Sequence, residues 1–79
     1  MKYFQLSGSD VRRARNILER CERAIGLKKS TVSYCQRLGS TGEMGFSDDE
    51  SANRFESILK FAGIPYKKTD KRQLKPLPY

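Results

Sequence analysis

Thr31-Val32-Ser33-Tyr34-Cys35-Gln36-Arg37-Leu38 is the stretch on which the fold turns, because it can be taken either as a strand or as a second short helix. Taken as a strand it is rich in β-branched and aromatic residues, and Val32, Tyr34 and Leu38 share one face. The tetrad Gly39-Ser40-Thr41-Gly42 then supplies a turn, after which Met44 and Phe46 alternate again. That is the pattern of a β-hairpin.

The flanking segments tell which elements the hairpin joins. Upstream, Val11, Ala14, Leu18, Cys21 and Ile25 recur at spacings of three and four, Ile17 and Ala24 widen the stripe, and the charged residues fall opposite. This predicts an amphipathic helix over Asp10–Ile25. Ser9 is placed to cap it, Asp10 suits the positive end of its dipole, and Gly26 with Lys28 and Lys29 suits its close. Ahead of Ser7-Gly8-Ser9, the run Lys2–Leu6 puts Phe4 and Leu6 on one side and Tyr3 and Gln5 on the other, as a half-buried strand requires.

Downstream, Ser47-Asp48-Asp49-Glu50 has the form of a capping box, so a second helix should begin there. Ala52, Phe55, Ile58, Leu59 and Ala62 form its apolar stripe, and Gly63 followed by Ile64-Pro65 ends it. Ile64–Thr69 is a last strand. Residues 1–69 therefore make one basic α/β domain, and residues 70–79, with Pro76 and Pro78 among Lys71, Arg72 and Lys75, make a basic tail.

The order βαββαβ contains two split βαβ units, which close with right-handed crossovers into a four-stranded antiparallel sheet with both helices on one face. That is an α+β, ferredoxin-like two-layer sandwich. Its expected core is Phe4, Leu6, Val32, Tyr34, Leu38, Met44, Phe46, Ile64 and Tyr66 against the two helical stripes.

A second fold follows if the deciding stretch is helical. Arg23-Ala24-Ile25-Gly26-Leu27-Lys28-Lys29-Ser30-Thr31-Val32-Ser33 resembles the helix-turn-helix segment of bacterial DNA-binding repressors, with a glycine at the turn and Thr-Val-Ser opening the recognition helix. Cys21, Ile25, Leu27, Val32 and Cys35 fall at the apolar positions of such a motif. The resemblance implies that Lys28, Lys29, Ser30, Thr31, Ser33, Tyr34 and Arg37 face phosphates and the major groove. It covers about twenty residues and departs from the motif at Glu22, where a close helix crossing wants a small side chain.

Seventy-nine residues with a formal charge of +7 make a small basic chain, and the charge is uneven. Asp10–Lys29 carries +4, Ser47–Ala62 carries −2 and Gly63–Tyr79 carries +4. A solvated surface accounts for some of this, but a one-sided field also steers a polyanion, and each phosphate neutralised releases counterions. Two cysteines are too few for a disulfide framework, and no apolar run follows Met1 or approaches the ~20 residues that span a bilayer. The expectation is a cytoplasmic protein with no membrane contact.

The chain has no histidine, so the commonest general base and metal ligand is missing. Cys21 and Cys35 read as core residues, and Asp48, Asp49 and Glu50 as capping and dipole residues rather than a cation site. No enzyme activity, metal or cofactor is expected. Gly39-Ser40-Thr41-Gly42 has the Gly-x-x-Gly form of an RNA clamp of the KH type, but that loop joins helices and this one joins strands. Stacking of bases on the sheet, as in RNA-recognition motifs, would fall to Tyr3 alone, since Glu43 or Gly45 sits across from it.

The positive block remains. Arg12, Arg13, Arg20 and Arg23, with Arg15 beside them, spread over the solvent side of the first helix, and Lys28, Lys29, Arg37, Lys67, Lys68, Lys71 and Arg72 extend the basic set. Glu19 stands four residues from both Arg15 and Arg23 and is expected to neutralise part of it. The expected partner is nucleic acid or a nucleoprotein. Phe61 lies off its helix's buried stripe, so it either tucks under the tail or anchors a protein partner. The second expectation is therefore a protein-directed inhibitor or adaptor, of the compact kind that phages and mobile elements encode (anti-CRISPR proteins among them), docking on a larger nucleic-acid-handling complex. Strand Thr31–Leu38 could also pair with a copy of itself.

Overall fold

The computed structural model describes residues 1–71 and resolves the choice at Thr31–Leu38 in favour of the strand. The elements are β1 (Lys2–Ser7), α1 (Gly8–Ala24), β2 (Tyr34–Leu38), β3 (Thr41–Phe46), α2 (Asp49–Ala62) and β4 (Lys67–Thr69). They form one sheet in the order β2-β3-β1-β4, with every neighbouring pair antiparallel. This is the ferredoxin-like α+β sandwich. The helix-turn-helix alternative is overturned: Gly26–Ser33 contains no helix, and Tyr34–Leu38 hydrogen-bonds along β3.

Phe4, Leu6, Met44 and Phe46 project from one side of the two central strands and meet Val11, Ala14 and Leu18 of α1 and Ala52, Phe55, Ile58 and Leu59 of α2. Three phenylalanines make the centre, with ring centroids 4.8 to 5.8 Å apart. Such tilted and edge-on pairs add about 0.5–1.5 kcal/mol each beyond their burial. Gly42 lies directly under Val11 and lets α1 approach the sheet closely.

Several boundaries differ from expectation, each for a local reason. Helix α1 starts at Gly8, its N-cap Ser7 makes no side-chain cap bond, and Ser9 is inside the helix. Its buried line runs Val11, Ala14, Leu18, Glu22, so Ala24 and Ile25 turn outward. Helix α2 is capped by Asp48 rather than Ser47, its carboxylate accepting from the Ser51 amide at 3.0 Å. Both helices end in a left-handed glycine, Gly26 at φ 84° and Gly63 at φ 70°. In each, the next residue's amide returns to a carbonyl of the last turn, Leu27 to Glu22 and Ile64 to Leu59. Ile64 is thus a buried helix stop, and β4 is only Lys67–Thr69.

The largest correction concerns β2. Tyr34 and Leu38 stand opposite Gly45 and Thr41, on the outer face of the sheet with Tyr3, while Cys35 and Arg37 point to the helix side. The strand is present with its faces exchanged, so Tyr34 and Leu38 are not core residues. Since side chains alternate with period two, a one-residue change of phase moves the whole set.

Candidate nucleic-acid interface

The first helix presents its arginines because the register that buries Val11, Ala14 and Leu18 leaves no other direction for them. Arg12, Arg13, Arg15, Arg20 and Arg23 are all exposed, and Lys28 and Lys29 follow, also exposed, in the loop after Gly26. From Arg12 to Arg23 the rise is about 16 Å at ~1.5 Å per residue. Among the described residues none of these seven cations forms an ion pair, and Glu19 pairs with neither Arg15 nor Arg23. Their charge is uncompensated at short range.

One of the five has an internal task. Arg13 donates to the carbonyl of Ala62 at 3.5 Å, at the C-terminus of α2, where a cation also suits the helix dipole. Arg12, Arg13 and Arg20 border a shallow concavity floored by Ile17 and Asn16. A second one, between α1 and β2, brings Arg12 and Arg15 to Arg37.

The loop that carries Lys28 and Lys29 is held from inside. Glu22, buried at the end of the α1 stripe, accepts the Thr31 amide at 2.7 Å. The sequence marks Glu22 only as an obstacle to a helix crossing; its role as the anchor of this loop becomes visible once Thr31 is known to lie nine residues on and beneath it.

The remaining expected site residues separate. Lys67 is exposed on the outer face, opposite Gln5. Lys68 faces the helix layer instead, where it pairs with Glu56 at 3.2 Å and lies 5.9 Å from the centre of the Phe4 ring. Glu56 also accepts from the Tyr66 hydroxyl at 2.7 Å; that bond first, and Lys68 second, hold its carboxyl below the usual range, and Glu56 in turn pushes the Tyr66 phenol up. Lys68 is thus structural. Lys71 is exposed, and Asp70 is tied to Lys2 at 2.6 Å, each shifting the other toward its charged form. Arg72 and residues 73–79 of the tail lie outside the described residues.

Tyr3 is on the outer face as expected, with Gly45 beneath it. Its companion, which sequence reasoning placed in the core, is Tyr34, edge-on at 5.7 Å. A Cβ on Gly45 would come within 2.9 Å of the Tyr3 ring and of Met1 Cε, so Tyr3 and Met1 close over the glycine. The Tyr34 hydroxyl donates to Gln36 at 2.6 Å. Phe61 is 94 % exposed and packs under nothing among the described residues.

Fold and surface together define a small basic α+β sandwich with one arginine-lined helix. No family model, no curated protein and no solved structure matches this chain. Among the described residues no helix is long and apolar enough to cross a membrane, and no group of three or more candidate ligands could hold a metal.

Proposed function

We propose that this protein is a non-enzymatic binder of nucleic acid or of a nucleoprotein, and that the solvent face of α1 with Lys28 and Lys29 is its contact surface. The observation that supports this best is the row of exposed, unpaired arginines on one rigid helix. Guanidinium groups bind phosphate in bidentate fashion, and a helix holds their backbone at fixed spacing, so that only the side chains are ordered on contact. Contacts of this kind position a backbone and read little sequence. Two free cysteines suit a reducing, cytoplasmic setting.

The test is the salt dependence of binding to fluorescent duplex DNA, single-stranded DNA and structured RNA. Each phosphate contact adds about 0.9 to the slope of log K against log salt on a duplex. R20Q/R23Q/K28Q removes three exposed cations that make no bond within the fold, and should lower the slope by about 2.7 while leaving the thermal midpoint in place. An unchanged slope and affinity would refute the assignment.

A second use of the molecule is favoured by Phe61. A large aromatic left almost wholly in solvent is the residue type that anchors protein interfaces. In that case the protein is an inhibitor or adaptor, docked by the end of α2 on a larger nucleic-acid-handling complex.

A further inference from the structure

Strand β2 is one of the two edge strands of the sheet, and among the described residues nothing pairs with its free side. The hairpin to β3 has a two-residue loop, Gly39-Ser40, with Gly39 at φ 62°, and closes on the pair Leu38 and Thr41. In such a hairpin the closing pair exchanges both hydrogen bonds, and bonded and non-bonded pairs alternate from there. Leu38, Gln36 and Tyr34 therefore turn their amides and carbonyls to β3. Those of Cys35 and Arg37 point outward, and both residues are exposed.

An open edge is a template for another strand, and proteins that must avoid this cover it or break it with proline or charge. Here β2 has no proline, and among the described residues α1 covers it only in part. What it has is a basic floor. Arg12 and Arg15 of α1 converge with Arg37 and Cys35 in the groove beside the edge, and among the described residues lining it Glu19 is the single carboxylate.

We propose that β2 accepts an extended acidic peptide as a fifth strand. Its backbone would bond to Cys35 and Arg37, and its acidic side chains, at every second position and about 6.6 Å apart, would reach Arg12, Arg15 and Arg37 on the helix side. Residues between them would lie beside Tyr34 and Leu38 on the outer face. A second copy of this chain fits less well, because pairing β2 with itself brings two sets of these arginines together. A nucleic-acid strand offers phosphates to the arginines but no peptide-spaced donors and acceptors to the edge. The site shares Arg12 and Arg15 with the proposed nucleic-acid surface but uses the backbone of β2 and not Arg20, Arg23 or Lys28, so the two assignments fail separately.

The probe is a fluorescent eight-residue peptide alternating glutamate with valine, beside the same peptide with lysine for glutamate. Binding would be followed by anisotropy, and amide hydrogen exchange of the full chain by NMR. The glutamate peptide should bind at least tenfold more tightly than the lysine peptide and should slow exchange selectively at the Cys35 and Arg37 amides. Arg37→Glu should cost tenfold or more. Cys35→Pro, which removes an amide β3 does not use, should abolish binding while R20Q/R23Q/K28Q does not. Because exchange is read on the unmodified protein, the test survives a Cys35→Pro chain that fails to fold. No slowing at Cys35 and Arg37 at saturating peptide would overturn the proposal. So would a dimer in sedimentation whose Cys35 and Arg37 amides are already protected without peptide.

Discussion

At the scale of single residues, the tightest constraint in the molecule falls on a glycine. A Cβ built on Gly42 would lie 2.0 Å from Cγ2 of Val11, far inside contact distance, and Val11 is buried at the start of α1. Gly42→Ala must therefore push α1 off the sheet or force Val11 out of its rotamer, and overpacking of this kind costs about 1–3 kcal/mol. The expected result is a lower urea midpoint for Gly42→Ala, partly restored in Gly42→Ala/Val11→Ala, where the offending methyls are gone. An unchanged midpoint in the single variant would show that α1 shifts freely. In the sequence Gly42 reads as the last residue of a turn tetrad, because proximity to Val11, thirty-one positions earlier, has no local signature. Gly45 was legible only in part. Alternation leaves Glu43 or Gly45 opposite Tyr3, and nothing local reveals that Tyr34 meets Tyr3 edge-on across that position.

At the scale of elements, both helices and the strand order were legible, since a long apolar stripe survives small errors of boundary. Strand β2 was misread in phase for a physical reason. It sits at the edge, where α1 covers it incompletely, so its helix-facing residues are Cys35 and Arg37 while its apolar residues cover the outer face. Hydrophobicity marks the core side of a central strand and loses that meaning at an edge. At the opposite edge, β4 is short and is held to α2 by Glu56, which takes bonds from Tyr66 and Lys68. Because folding lowers the Glu56 carboxyl below its unfolded value of roughly 4.3, its contribution is complete above that pH and is lost as pH falls through the folded value. Urea midpoints of the parent and of Glu56→Gln should thus differ at pH 7 and converge toward pH 3. Asp48 and Asp70, lowered by Ser51 and Lys2 respectively, titrate in both proteins and cancel in the comparison. A gap of constant size down to pH 3 would mean that Glu56 acts through packing alone.

At the scale of the whole molecule, the two sandwich layers expose different chemistry. The helix layer shows the arginines of α1 along one flank and, at the end of α2 that Arg13 touches, the bare ring of Phe61. The sheet's outer face carries two half-buried tyrosines and two half-buried glutamines around the fully buried Glu43, with Lys67 exposed beside them. The apolar stripe of α1 already disclosed in the sequence where the basic excess collects, but that Glu19 leaves it unpaired depends on side-chain placement that spacing does not fix. Phe61 now separates the two modes of action. With its ring 94 % in solvent, Phe61→Ala removes almost no buried contact, so stability should stay within about 0.5 kcal/mol of the parent. If α1 engages phosphates directly, this variant should bind RNA and DNA with the parent's affinity and salt slope, since the ring adds no charge to the contact. If the molecule instead docks on a protein, Phe61→Ala should cost that complex 2 kcal/mol or more, as hot-spot aromatics do, while R20Q/R23Q/K28Q chiefly slows its formation and alters its salt dependence. The pair of variants measured on one complex therefore reports which surface carries the affinity, because the charge acts at long range on the encounter and the ring acts only once it is buried.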